Sequence, residues 1–256
     1  GPAWMPEGYL VFSDIPADTL YRWSSEDGMD VFRRPSHHAN GNTVDLQGRL
    51  VTCHHGARRV TRTEEDGSVT VLAEEYEGKK LNSPNDAVVK SDGTIWFTDP
   101  TYGLGKREKE LDGNYVFRLD PETGEMAILA KDFRMPNGLC FSPDESLLYI
   151  ADSGKNPKVR VFRVTDDNRL EGGEVFATMP KGVPDGMRVD EDGRLFSTSG
   201  EGVCVYAPDG RLLGKILTPE PAANCELGGP DGTTLYITAR TAVHRVDLAV
   251  TGATRR

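Results

Sequence analysis

Short apolar runs of four to seven residues alternate with turn-forming clusters along the whole chain. Examples of the clusters are Glu65-Asp66-Gly67, Ser91-Asp92-Gly93, Asp192-Gly193 and Pro208-Asp209-Gly210. Short strands at even spacing joined by Asp-Gly turns predict an all-β fold: a sandwich, a barrel or a propeller. The longest stretch free of Gly and Pro, Thr233–Thr251, is rich in Thr and Val and reads as strand too. No segment combines a capping residue with an apolar period of 3.6, so no helix is predicted.

Internal repetition narrows the choice. Tyr9–Asp14, Arg49–His54, Thr94–Asp99, Leu147–Asp152, Arg194–Ser199 and Thr234–Ala239 align without gaps. Their second residues, Leu10, Leu50, Ile95, Leu148, Leu195 and Leu235, are spaced by 40, 45, 53, 47 and 40 positions. Six copies at this period predict a six-bladed β-propeller with four antiparallel strands per blade, formed by residues 1–256 as one domain. Further strand-like pieces follow the repeat core, as at Ala57–Thr61 and Val69–Ala73, or Asn114–Leu119 and Met126–Ala130. A β-sandwich is the competing fold, but it does not call for sixfold internal similarity.

A second signature lies ten or eleven residues before Leu50, Ile95, Leu148, Leu195 and Leu235 of the last five repeat cores: Asn40-Gly41, Asn85-Asp86, Asn137-Gly138, Asp185-Gly186 and Asn224-Cys225. Each opens a strand that turns and returns as the repeat core. Hairpin geometry therefore predicts Asn85 near Asp99, Asn137 near Asp152 and Asp185 near Ser199. With that first strand innermost, these side chains would ring the mouth of a central channel, with His54, Asp99 and Asp152 beside them. Amide and carboxylate oxygens without thiols are the ligand set of a hard cation such as Ca²⁺. The competing explanation is local, because Asn, Asp and Gly are ordinary turn formers and a repeat protein reuses its turns. Pro84, Pro136 and Pro184 stiffen the approach to Asn85, Asn137 and Asp185 and favour precise placement of those three. Asn224 lacks that proline and reads as structural.

Composition removes several function classes. The chain of 256 residues carries 30 Lys+Arg against 40 Asp+Glu, a net charge of −10. Such a chain is a poor match for a phosphate backbone or an anionic membrane. No apolar run approaches the length of a membrane span and no signal segment opens the chain, so a cytoplasmic location is expected, or a periplasmic one after removal of a leader. Cys53, Cys140, Cys204 and Cys225 show no CxxC pairing and read as buried free thiols.

Ser83-Pro84-Asn85-Asp86, Met135-Pro136-Asn137-Gly138 and Val183-Pro184-Asp185-Gly186, with Ile95–Pro100 and Tyr149–Ser153, resemble the motifs of the gluconolactonase, regucalcin and senescence-marker-protein family, closest to its bacterial gluconolactonases. The resemblance runs over nearly the whole chain. It implies a six-bladed propeller that holds one divalent metal, usually Ca²⁺ with Zn²⁺, Mg²⁺ or Mn²⁺ as alternatives, and hydrolyses sugar lactones or related esters. It implies Asn137 and Asp185 as metal ligands, Asn85 as a ligand or substrate contact, and Asp185 as the base that orients or deprotonates water. Asn40, His55, Asp99 and Asp152 are the candidate substrate contacts, and the partner is a small lactone met by a monomer or homodimer. Family members also supply a Glu from a Glu-Gly-Pro motif in the first repeat, whereas this chain opens Gly1-Pro2-Ala3-Trp4. The chain is therefore expected to begin inside a longer one and to leave its last blade incomplete. The competing functions are an aryl-ester or phosphotriester hydrolase on the same metal site, and a noncatalytic calcium-binding or interaction propeller.

The remaining features read as structural. Arg58-Arg59, Lys79-Lys80 and the Lys106–Glu110 run are expected to be solvated, with a lid over the site as the alternative for the last. Trp96 is expected in the core. His54 is expected to face the mouth, and His37-His38 cannot both point inward from an extended segment.

Overall fold

The computed structural model describes residues 1–253. Its contacts divide the chain into two compact units, Gly1–Phe133 and Arg134–Arg256. Among the described residues there is no helix. The first unit holds three four-stranded antiparallel meanders: Pro2–Trp4, Leu10–Asp14, Thr19–Ser24 and Gly28–Arg33 in the first; Ala39–Val44, Leu50–His54, Arg59–Thr63 and Val69–Ala73 in the second; Ala87–Val89, Ile95–Asp99, Tyr115–Leu119 and Met126–Ala130 in the third. The second unit holds Pro136–Phe141, Leu147–Asp152, Lys158–Val164 and Leu170–Ala177, then Met187–Val189, Leu195–Ser199, Gly202–Tyr206 and Leu212–Leu217. Its last sheet has three strands, Asn224–Gly228, Thr234–Ala239 and Ala242–Asp247. These are the blades of a six-bladed β-propeller, the last of them with three strands among the described residues. A two-stranded ribbon, Glu75–Tyr76 with Lys79–Lys80, is an addition that the repeat pattern did not signal.

Each repeat core is the second strand of its sheet, and Leu10, Leu50, Ile95, Leu148, Leu195 and Leu235 are all buried. The second strands read as nearly continuous apolar runs because both of their faces are covered. Leu50 packs with Ala3, Val11, Leu20 and Ala39 between the first two sheets, while its neighbour Val51 joins Cys53, Ile95, Phe97 and Phe117 between the second and third. Leu195 and Phe196 divide in the same way, Leu195 toward Tyr149 and Met187 and Phe196 toward Cys225 and Ile237. All four cysteines are buried free thiols and Trp96 is fully buried, as expected.

The observed registers match the predicted hairpins. Asn85 N–H donates to Thr98 O (2.8 Å), one residue from Asp99, and Pro136 pairs with Asp152. Thr198 N–H donates to Gly186 O (3.0 Å), beside Asp185 and Ser199.

Candidate functional site

The glycines that follow Asn40, Asn137 and Asp185 have a steric reason, which corrects the turn-former explanation. None of Gly41, Gly138 and Gly186 has a positive φ. What each meets is the start of the inner strand of the next sheet in its unit, or the residues just before it. A Cβ on Gly41 would lie 2.4 Å from Asn85 O, one on Gly138 2.2 Å from Asp185 O, and one on Gly186 1.9 Å from the Asn224 side chain. Glycine therefore permits the backbone approach that puts successive Asn and Asp residues side by side.

In the first unit, Asn40, Asn85 and His55 meet directly. Asn40 Nδ2 donates to Asn85 Oδ1 at 2.6 Å, and His55 Nε2 lies 3.1 Å from both Asn85 Oδ1 and Asn40 Nδ2. His55 is buried, and loss of hydration pushes its pKa down to about 4 against the opposing effect of its bond to Asn85. It is a neutral imidazole at neutral pH. Gly103 packs against its ring, where a Cβ would lie 2.4 Å from His55 Cβ. Arg107 fixes the same corner, since its guanidinium donates to His55 O (2.8 Å), Gly56 O, Gly103 O and Leu104 O.

Asp99 belongs to this unit but is fully buried behind it. Its Oδ2 accepts Asn82 N–H at 2.7 Å, and a bond from the Ser83 backbone also reaches the carboxyl. Burial nevertheless pushes its pKa up to about 7. Asp99 Oδ1 and the neighbouring Asn82 Oδ1 are buried with no hydrogen-bond partner. His54, expected at the mouth from its alignment with Asp99 and Asp152, has both ring nitrogens taken up by protein partners. It is buried, with Nδ1 on Ser36 O (2.8 Å) and Nε2 on Thr61 Oγ1 (2.8 Å).

Two surface assignments are corrected here as well. Arg58 is buried, donating from Nε to Leu81 O (2.6 Å) and pairing with Glu110 (3.3 Å). Glu110 also accepts Lys80 N–H at 2.9 Å. Through Arg107 and Glu110, the Lys106–Glu110 segment is fastened to the second sheet and the ribbon rather than left in solvent. The physical cause is a set of loop carbonyls that need hydrogen-bond donors, which the guanidinium groups of Arg107 and Arg58 supply, with Glu110 accepting in turn from Arg58 and Lys80 N–H.

In the second unit, Asn137 lies on the inner strand of the fourth sheet and Asp185 two residues before that of the fifth, Asn137 buried and Asp185 half-buried. Asn137 Nδ2 donates to Ser153 Oγ at 3.1 Å, and Ser153 Oγ donates to Pro184 O, the carbonyl just before Asp185. Asp152 is nearly buried, and its carboxylate accepts Met135 N–H (2.9 Å), Arg134 N–H (3.2 Å) and Gly154 N–H (3.2 Å). Asn224 lies on Gly186 and accepts its own neighbour's Cys225 N–H at 2.8 Å, in keeping with the structural reading.

The SMP-30/gluconolactonase/LRE-like region is matched by residues 1–241, nearly the whole chain. The chain belongs to that family. It is 35% identical to a gluconolactonase of Zymomonas mobilis over 96% of this chain and 77% of the other. It is 28% identical to the pentonolactonase XacC of Haloferax volcanii over 93% of this chain and 80% of that one. Among solved structures, a gluconolactonase of Xanthomonas campestris superposes with a TM-score of 0.93 at 41% identity, covering 97% of this chain and 85% of the other.

Membership brings the question of a divalent cation, and the second unit of this family member has donors that suit one. Among the described residues no three His, Cys, Asp or Glu side chains converge. The donors are instead a carboxamide at Asn137 and a carboxylate at Asp185, drawn together by the Gly138 contact on Asp185 O. An all-oxygen set of low charge fits Ca²⁺, Mg²⁺ or Mn²⁺ better than Zn²⁺, which favours imidazole and thiolate. Two residues with a part in this geometry were assigned none from sequence. Ser153 stands inside the quoted Tyr149–Ser153 motif, and Arg107 inside a run that reads only as mixed charge.

Proposed function

We propose that this protein hydrolyses sugar lactones, opening the ring ester of an aldonolactone such as gluconolactone to the hydroxy acid. The observation that carries this reading is the near-full-length match to the Zymomonas mobilis gluconolactonase, and the further lactonase among the relatives supports the substrate class. Asn137 and Asp185 are the residues that would hold a divalent cation, with Ca²⁺ first. When bound, such a cation supplies positive charge where negative charge develops on the lactone carbonyl oxygen. Asp185 orients water and takes its proton as the water oxygen bonds to the carbonyl carbon. The ring C–O bond then breaks, and the proton passes to the departing alkoxide oxygen. Within the first unit, Asn40, His55 and Asn85 form a fixed set of neutral donors and acceptors of the kind that sugar hydroxyls bond to. Asp99 and Asp152 serve the same chemistry indirectly, by holding the loops that lead into Asn85 and Asn137.

The test is acid release from gluconolactone in a pH-stat, corrected for spontaneous opening, with and without a chelator and with calcium restored. Asp185→Ala is expected to lower turnover by about 10²–10⁴, the range for loss of a positioned acid–base group. Full turnover in that variant together with insensitivity to chelator would refute the reading.

A further inference from the structure

We infer that Ser153 is a positioning residue that fixes which end of the Asn137 amide is presented to a cation. This inference rests on the proposed cation site at Asn137 and Asp185. A serine hydroxyl has one hydrogen to give and lone pairs to receive with. Pro184 O is a carbonyl and can only accept, so the Ser153 hydrogen is committed to it. The oxygen that remains can only accept, and the only amide end able to donate to it is Asn137 Nδ2, found 3.1 Å away. The carboxamide oxygen, the atom a hard cation requires, is thereby turned to the other side of the amide plane. One hydroxyl thus sets the amide orientation of Asn137 and ties down the peptide that leads into Asp185.

Ser153 is itself held in place. Its N–H donates to Met135 O at 3.0 Å, while Asp152, the residue before it, receives the amides of Arg134 and Met135. The corresponding position of the third sheet, after Asp99, is Pro100, which has no hydroxyl. There the Asn85 amide is met by Asn40 and His55 instead. The hydroxyl relay is therefore particular to Asn137 among these two sites and is not a by-product of the repeat.

The experiment compares Ser153→Thr, which keeps the hydroxyl, with Ser153→Val, which has nearly the same shape without it. Calcium affinity of the full chain is measured by calorimetry, and thermal unfolding is followed in chelator. Ser153→Val is expected to bind calcium about 10–100-fold more weakly, the effect of losing a group that orients a ligand, with Ser153→Thr staying within about threefold of the parent. The metal-free melting points of the two variants are expected to agree closely, so that the affinity difference is not a folding effect. Calcium affinities for Val and Thr within about twofold of each other, with binding retained, would overturn the role of Ser153 and leave the cation site standing. No calcium binding by the parent protein would overturn the cation reading, and this inference with it. Should Ser153→Val not fold, Ser153→Ala takes its place, with the same comparison to Thr deciding the outcome.

Discussion

Asp99→Asn should make the protein more resistant to unfolding as the pH rises. The carboxyl is fully buried, and burial moves its ionisation from 3.8 to about 7 despite the amides that donate to it. The folded state therefore holds this proton more tightly than the unfolded chain does. Between those two values the folded protein binds more protons, so the contribution of Asp99 is complete below about pH 4 and is lost as pH rises through about 7. Each tenfold change in proton affinity is worth ~1.4 kcal/mol, so the total swing is about 4 kcal/mol. Asparagine stays neutral, keeps an oxygen for Asn82 N–H, and brings a donor to a site where Asn82 Oδ1 and Asp99 Oδ1 both lack a partner. Urea unfolding of both proteins from pH 4.5 to 8.5 measures the effect directly. Groups that titrate identically in the two chains cancel in the difference. The stability of the variant relative to the parent should climb with pH by roughly 3–4 kcal/mol over this range. A difference that stays flat within about 1 kcal/mol would refute the claim that Asp99 is held protonated by burial.

Two further perturbations follow from the same geometry. Arg188, on the inner strand of the fifth sheet, pairs with Glu226 of the sixth through Nε (2.9 Å) and Nη2 (2.8 Å), and both side chains are largely buried. Arg188→Ala should cost about 3–5 kcal/mol by leaving Glu226 buried without its partner, while Arg188→Met with Glu226→Leu should recover most of that in the same urea assay. Equal losses in the single and double variants would contradict this. Arg107→Ala removes the clamp between the Lys106–Glu110 segment and the carbonyls of His55 and Gly56. Loss of about 2 kcal/mol of local stability should speed tryptic cleavage at Lys106 and Lys109 roughly thirtyfold, with an unchanged rate arguing that the segment is held by other contacts.

Much of this architecture is legible in the sequence because it is written several times. Leu50 at the start of its second strand packs into one core and Val51 after it into the next, so consecutive positions of the strand are both held apolar, and that demand gives the repeat its regularity. The Asn-Gly and Asp-Gly pairs are equally visible, but their cause is not, since it lies in the neighbouring sheet. Gly138 reads as a turn residue until Asp185 O is found where its side chain would be. Arg107 and Ser153 carry no such sequence signal, because their partners, His55 and Gly56 in one case and Asn137 and Pro184 in the other, are remote in sequence and differ from sheet to sheet.

The position occupied by His54, Asp99 and Asp152 joins these two kinds of information. Alignment puts the three at one point of the repeat and suggests a shared place at the channel mouth. The structure keeps the equivalence and changes the role. His54 takes Ser36 O, Asp99 takes Asn82 N–H, and Asp152 takes Arg134 and Met135 N–H. In each case the partner lies in the loop that leads into the inner strand of the same sheet, a few residues before Asn40, Asn85 or Asn137. A buried polar group at the end of the second strand has to be satisfied, and that loop is the backbone within reach. The side chain that meets this need also fixes the approach to the polar residue that follows, whether it is an acid accepting N–H groups or an imidazole donating to a carbonyl. Chemical type can therefore vary at this point while its geometric consequence is preserved, which is why the alignment finds the position but not its function.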